Sequence, residues 1–133
     1  MNREIEKALE DAEWHLEMGK KVKEKQGPNR IAISYFIHSI IRSTDVLCIT
    51  FTGERCQSGR NHDLHLEFEK LYTDHNLPEK HSKYKKNIRK WVKTEKTNAE
   101  YRGKKFSNSE YKRAKKAAKR YLNKCVKPNI KKQ

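Results

Sequence analysis

The stretch SGRNHDLH concentrates side chains that could do chemistry, because it holds Arg60, Asn61, His62 and His65. Histidine exchanges a proton near neutral pH, and arginine binds an anion through two parallel N–H groups. His62 and His65 would share one helical face, as zinc ligands do, but no further ligands follow at a recognisable spacing. We therefore expect no metal site here. The residues are better interpreted as the solvated start of a helix, with Asn61 as N-cap and Asp63 in the first turn.

The distribution of charge is the strongest indication of a binding partner. The 133-residue chain has a net charge of +15. Residues 1–78 carry 11 basic and 13 acidic side chains, a net of −2, whereas residues 79–133 carry 21 and 4, a net of +17. A field this one-sided attracts polyanions and accelerates their encounter with the protein. The pattern favours RNA, a nucleotide or another polyanion over a membrane surface, since the basic segments lack clusters of exposed aromatic residues.

Composition also limits the fold class and the compartment. Five glycines and three prolines are too few for a turn-rich all-β fold, and 34% apolar residues suit helices that each bury one stripe. No uninterrupted apolar run approaches the roughly 18 residues of a membrane span, and the acidic, amphipathic N-terminus is unlike a secretory signal. Cys48, Cys56 and Cys125 show no CxxC spacing, which argues against a disulfide scaffold or a zinc knuckle. We expect a cytoplasmic protein without a cofactor.

Apolar residues recur at three- and four-residue steps in five segments, which predicts an all-α, up-and-down helical bundle. The predicted helices cover 3–25, 29–51, 62–75, 79–96 and 107–126. The second segment is apolar on more than one face, so we expect a central helix, or one that also contacts a second subunit. Residues 1–126 would form a single domain, followed by a frayed basic tail at 127–133.

The last two predicted helices and their connector supply the candidate phosphate-binding residues. These are Lys85, Lys86, Arg89, Lys93, Arg102, Lys104, Lys105, Lys112, Arg113, Lys116, Lys119 and Arg120. Tyr101 and Phe106 flank the basic connector and are candidates for stacking on bases. Four further aromatic residues at helical spacing are interpreted as core: Tyr84, Trp91, Tyr111 and Tyr121.

Three segments, in this order, resemble parts of HEPN domains (higher eukaryotes and prokaryotes nucleotide-binding). Residues 32–47 are similar to the family's long second helix, 61–71 to its His-Asp-Leu helix start, and 98–122 to its aromatic-containing connector and Ala-rich last helix. The resemblance covers roughly residues 5–126. It implies a helical bundle, commonly a homodimer, with a role in nucleotide or RNA transactions. Such domains often lie beside a nucleotidyltransferase or in toxin–antitoxin and other defence systems.

Some branches of that family are metal-independent ribonucleases, with Arg, often a polar neighbour, and His after four to six intervening residues. Arg60, Asn61 and His65 fit this pattern, as do Arg55 and His62 without the polar neighbour. The resemblance would make His the proton acceptor and donor for attack by the 2′-hydroxyl, and Arg the cation for the phosphate charge. In those branches the motif lies on the last core helix, whereas the last predicted helix here contains no histidine.

Three hypotheses follow. The first is a HEPN-like module that binds RNA or nucleotide through its basic half, residues 79–133. The second is a metal-independent ribonuclease toxin that uses Arg60, Asn61 and His65. The third is a protein-interaction partner whose basic face docks an acidic nucleotidyltransferase or antitoxin.

Overall fold

The computed structural model describes residues 2–56 and 63–131, and this part of the chain is all-helical without a strand. It forms five helices, which we number in chain order. The first three are Arg3–Glu24, Asn29–Thr52 and Leu64–Asp74, the fourth runs over 84–100 and the fifth over 108–131. A short 3₁₀ helix, Glu79–His81, precedes the fourth. The predicted all-α bundle is confirmed.

The second helix is the centre of the bundle and contacts all four others. Of its 24 residues, 14 are buried, and they include polar ones. Ser39 donates a hydrogen bond to the backbone carbonyl of Ala12 (2.8 Å), and the hydroxyls of Thr44 and Tyr121 are 2.8 Å apart. Because a buried hydroxyl without a partner is costly, these contacts also fix how the first and fifth helices sit against the second.

The second helix is also long and apolar enough, by length and composition, to cross a membrane. Within the bundle, 72% of its most apolar window is buried against the other helices. A core helix that is covered on several sides has the same composition as a membrane span.

The fourth and fifth helices each contain a π-helical turn, where hydrogen bonds connect residues five apart. In the fourth, Arg89–Glu95, the N–H of Lys96 donates to the carbonyl of Trp91. In the fifth, Tyr121–Val126, the N–H of Lys127 donates to the carbonyl of Leu122. Such turns insert one residue and rotate the register of everything that follows.

The second π turn explains why the last helix does not end at 126, as the sequence predicted. Proline disrupts an ordinary α-helix because its ring meets the carbonyl four residues earlier, and the π turn re-registers the backbone just before Pro128. Asn129 is then buried and donates a hydrogen bond to the carbonyl of Cys125 (2.7 Å), and Ile130 packs into the core. Residues 127–131 are therefore part of the fifth helix rather than a frayed tail.

Helix starts follow local side-chain chemistry where the structure describes them. Ser107 and Glu110 form a capping box, in which each side chain accepts a hydrogen bond from the backbone N–H of the other (3.1 and 3.0 Å). The third helix begins at Leu64 with Asp63 in the N-cap position, and the Asp63 side chain makes no capping bond. The predicted cap, Asn61, lies outside the described residues.

Close packing of the first two helices depends on Gly19. A Cβ atom built there would meet the ring of Phe36, including Cδ1 at 2.7 Å, and that ring is fully buried. We expect Gly19→Ala to lower the free energy of unfolding by about 1–3 kcal/mol, because overpacking outweighs the gain of about 1 kcal/mol in helix propensity. Urea denaturation followed by circular dichroism measures this.

The control is the same substitution in a Phe36→Leu background, which removes the ring that the new methyl group would meet. The cost of Gly19→Ala should shrink or change sign there. An equal cost in both backgrounds would contradict the packing explanation.

Candidate functional site

A groove between the fourth and fifth helices has an aromatic floor and cationic walls. Its lining comprises Lys83, Tyr84, Asn87, Lys90, Trp91, Arg113, Lys116, Ala117 and Arg120. The rings of Tyr84 and Trp91 are at most 3% exposed, so they form the floor and are covered from above. Lys83 and Lys90 lie over them, with ammonium nitrogens 5.5 and 5.0 Å from the respective ring centroids. These cation–π contacts orient two ammonium groups along the groove.

The cationic surface continues around the exposed face of the fifth helix. A second cavity of about 520 Å³ is lined by Tyr111, Lys112, Lys115, Lys116, Lys119, Arg120, Asn123 and Lys124. Lys116 and Arg120 belong to both cavities, and Lys80 adds a further cation beside Lys124. We call the groove and this second cavity together the cationic surface. Within the described ranges, no ion pair involves its cations.

Two of the twelve candidate phosphate-binding residues already have acidic partners. Lys85 pairs with Glu69, and Lys104 lies 3.3 Å from Glu95 and 3.1 Å from Glu110. The hydrogen bond to Glu110 raises the pKa of Lys104 above its usual value, so this lysine joins the connector to the fifth helix. The other ten side chains are exposed: Lys86, Arg89, Lys93, Arg102, Lys105, Lys112, Arg113, Lys116, Lys119 and Arg120.

The exposed cations of the fourth helix divide between two faces. Lys85, Arg89 and Lys93 act electrostatically on His65 and so lie toward the third helix. The groove instead uses Lys83 and Lys90, which the sequence interpretation did not single out. Helical spacing could have separated the two sets. Lys83 and Lys90 are seven residues apart and share one face, whereas Lys85, Arg89 and Lys93 recur every four residues on another.

The aromatic predictions are confirmed in part. All four residues assigned to the core are at most 7% exposed: Tyr84, Trp91, Tyr111 and Tyr121. Tyr101 is 76% exposed and available for stacking. Phe106 is only 7% exposed, so the expectation that it stacks on a base is wrong. Its ring is covered by Lys104, whose ammonium nitrogen lies 4.7 Å from the centroid.

His65 is not the solvated helix-start residue that the sequence suggested. It is 5% exposed, and its Nδ1 has no hydrogen-bond partner in the described part of the chain. Burial, reinforced by the charges of Lys93 and Arg89, lowers its pKa below the usual value near 6.5. His65 is therefore neutral at physiological pH. Its predicted catalytic partners Arg60 and Asn61, and the second match at His62, lie outside the described residues.

A polar cleft of about 580 Å³ lies between the first two helices and the end of the fourth. It is lined by His15, Arg30, Ile31, Ser34, Tyr35, His38, Arg42, Ala99 and Glu100. His38 Nε2 is 2.8 Å from a carboxylate oxygen of Glu100, which also accepts a hydrogen bond from Ser34 (3.0 Å). The rings of His15 and His38 stack, with centroids 5.8 Å apart. The polar cleft thus joins two imidazoles, a carboxylate and two guanidinium groups.

The hydrogen bonds of the polar cleft determine which ring nitrogens are available. A carboxylate only accepts, so His38 donates from Nε2 to Glu100 and its Nδ1 carries the lone pair when the ring is neutral. By the same reasoning His15 donates from Nδ1 to the carbonyl of Asp11 (2.7 Å), so its Nε2 carries the lone pair when the ring is neutral. Burial alone would raise the pKa of Glu100, but the bonds from His38 and Ser34 and the charge of Lys96 hold it below its usual value.

The sequence interpretation missed the polar cleft. The His38 side chain lies on a helix that the sequence marks as central and mostly buried, yet it is 35% exposed. Glu100 was placed in a connector, because the fourth helix was expected to end at residue 96 rather than at Glu100. No local signal joins His15, His38 and Glu100. Only the packing of three helices brings them together.

Comparison of the chain with protein-family models, with curated proteins and with solved structures gives no match. The resemblance to HEPN domains therefore stays a prediction.

The buried His65 predicts a pH dependence of stability. Its folded-state pKa lies below its unfolded-state value near 6.5, so the unfolded chain takes up the proton first as the pH falls. The stabilising contribution is complete above the unfolded-state pKa and is lost as the pH falls below it. We expect the denaturation midpoint to decrease between about pH 7.5 and about pH 5.5, and to decrease less in His65→Leu. Urea titrations at the two pH values measure the difference, and an equal decrease in both proteins would contradict it.

Proposed function

We propose that this protein is a HEPN-like module that binds RNA, in a sequence-tolerant manner, through the cationic surface of its fourth and fifth helices. The observation that carries the proposal is the groove itself, where cations from two helices face one another over a buried aromatic floor. Phosphate contacts position a nucleic acid without reading its bases, so such a surface accepts many sequences. A role in a toxin–antitoxin or defence system belongs to the same proposal.

The geometry supports a strand that follows the groove. Lys83 and Lys90 are oriented by their contacts with Tyr84 and Trp91, so little side-chain freedom is lost when they meet phosphates. The floor rings are buried, which leaves the exposed Tyr101 as the candidate for base stacking. If six cations of the surface each neutralise one phosphate, a plot of the logarithm of the affinity against the logarithm of the salt concentration should have a slope of about −4.

The test is fluorescence anisotropy with a labelled oligouridylate of about 12 nucleotides. Replacing Lys116, Arg120 and Lys124 by Gln should weaken binding by more than about tenfold and reduce the salt slope by about 2 units. The matched control replaces Lys7 and Lys21 of the first helix and Lys25 directly after it, which are exposed and carry the same total charge. This control should bind within about threefold of the wild type.

Two outcomes would contradict the proposal. Equal losses in both triple variants would mean that net charge alone attracts the RNA. A flat response between about 50 and 200 mM salt would mean that phosphate contacts do not dominate. Stronger binding to poly-glutamate than to the oligouridylate would favour the alternative in which the basic face docks an acidic nucleotidyltransferase or antitoxin.

The polar cleft supports a second candidate function, metal-independent cleavage of RNA, at residues other than the predicted Arg60, Asn61 and His65. His15 and His38 each present one ring nitrogen, so one imidazole can accept the proton of a 2′-hydroxyl while the other donates to the leaving oxygen. Arg30 and Arg42 line the same cleft and can stabilise the additional phosphate charge. The Glu100 carboxylate accepts the hydrogen bond from Nε2 of His38 and so orients that imidazole.

Cleavage of a structured RNA in the presence of EDTA tests this second function. We expect products with cyclic phosphate ends, loss of cleavage in His38→Ala and at least a tenfold decrease in Glu100→Gln, which keeps the shape but not the charge. Cleavage in His65→Ala should persist, because that side chain is buried. If only His65→Ala abolishes cleavage, the catalytic site is the Arg60 motif rather than the polar cleft. If the wild type cleaves no RNA at any protein concentration, the activity is excluded.

A further inference from the structure

Cys48 and Cys56 lie together at the end of the second helix, beside the third helix. The structure pairs them as a disulfide, which the sequence interpretation did not expect. Glu67, one turn into the third helix, places a carboxylate oxygen 3.9 Å from the sulfur of Cys48. The one ligand atom that each of these three residues offers lies within 4.8 Å of the other two. Two thiol-bearing residues and a carboxylate thus converge on one point.

The position of Cys56 does not depend on the disulfide alone. Its backbone N–H donates to Oδ1 of Asp45 (3.3 Å), and Oδ2 of Asp45 lies 3.4 Å from the guanidinium of Arg55. Asp45 is buried in the second helix, one turn before Cys48, and is itself 3.2 Å from Arg42. The loop is therefore held against the helix by hydrogen bonds that remain after reduction. The two sulfurs would stay neighbours as free thiols.

The separation between Cys48 and Glu67 suits a tetrahedral zinc ion, and reduction of the disulfide lets the two sulfurs move apart to the spacing of two zinc ligands. With zinc–sulfur and zinc–oxygen bonds of about 2.3 and 2.1 Å, the edge between the two ligand atoms is about 3.6 Å. The observed 3.9 Å between Cys48 and Glu67 needs a shift of only a few tenths of an ångström. The same cavity is lined by His75 and Asp74, and its open side can admit a water molecule as a further ligand. Thiolate ligands favour zinc over magnesium or calcium.

We propose that Cys48, Cys56 and Glu67 form a redox-gated zinc site, which binds one Zn²⁺ when the cysteines are reduced and releases it when they form their disulfide. A dithiol reductant supplies the two electrons and two protons that convert the disulfide into two thiols, and is itself oxidised to a disulfide. Zinc then displaces both thiol protons. A low-molecular-weight disulfide reverses the reaction: it takes two electrons from the two cysteine thiolates and two protons from solvent, becomes two thiols, and the metal leaves.

The third cysteine provides an internal comparison. Burial raises the pKa of Cys125 to about 12, so its thiol is neither a nucleophile nor a metal ligand at neutral pH. Cys125→Ser is therefore a matched control that removes a thiol without touching the proposed site.

The experiment uses the full chain, reduced under anaerobic conditions and freed of reductant. Cobalt(II) is the spectroscopic probe, since thiolate coordination gives a charge-transfer band, and zinc is measured by competition with a chelating dye. We expect one metal per reduced chain and at least a hundredfold weaker binding in Cys56→Ser. Glu67→Gln should bind roughly tenfold more weakly but keep the charge-transfer band. Cys125→Ser should equal the wild type.

Oxidation provides the second readout. Glutathione disulfide should release the bound zinc from the wild type and from Cys125→Ser. Equal zinc affinity in the oxidised and reduced proteins would overturn the proposal, as would an unchanged affinity in both Cys56→Ser and Glu67→Gln. Circular dichroism of each variant shows whether it has folded. If a cysteine variant does not fold, the zinc affinity of Glu67→Gln still tests the proposed site. RNA binding plays no part in these measurements, so this inference and the proposed function can fail separately.

Discussion

The second helix is covered by all four other helices, and this burial constrains most of the molecule. Water cannot reach most polar side chains of a helix that is buried on several sides, so they need partners within the protein, although the buried hydroxyl of Ser43 has none among the described residues. The hydroxyls of Thr44 and Tyr121 form a hydrogen bond. Asp45 accepts hydrogen bonds from Arg42, from Arg55 and from the backbone N–H of Cys56. Tyr121 comes from the fifth helix, and Arg55 and Cys56 come from the segment that follows the second helix. The polar groups therefore determine which surfaces pack together, while the apolar ones supply most of the stabilisation.

The cationic surface is a consequence of the same arrangement. The fourth and fifth helices each bury one stripe against the centre, so their remaining positions face solvent, and most of these are Lys or Arg. Cations on neighbouring helices repel one another, and no acidic side chain is among the residues that line the cationic surface. A bound polyanion would relieve this repulsion, which supports the proposed binding of RNA.

Helix order, the capping box at Ser107 and the central role of the second helix could be predicted, because each depends on spacing within one segment. The burial of His65 could not be predicted, because the same local sequence is compatible with a solvated and with a buried histidine. Only the packing of other helices over this residue decides which of the two forms. The π turns could not be predicted for a related reason, because helical periodicity assumes one register along the whole helix. The residue that each π turn inserts changes this register, and the fourth helix then continues to Glu100 and the fifth past Pro128. Glu100 and His38 meet across 62 residues, a separation that no local pattern encodes.

The polar cleft and the cysteine site are connected through one carboxylate. Arg42 lines the cleft and lies 3.2 Å from Asp45, and Asp45 accepts the N–H of Cys56 on its other oxygen. Because Asp45 is buried, a loss of either partner would leave part of its charge uncompensated, which is costly. Asp45 therefore connects the two sites structurally, since a variant without its carboxylate loses both the contact with Arg42 and the bond that holds the N–H of Cys56.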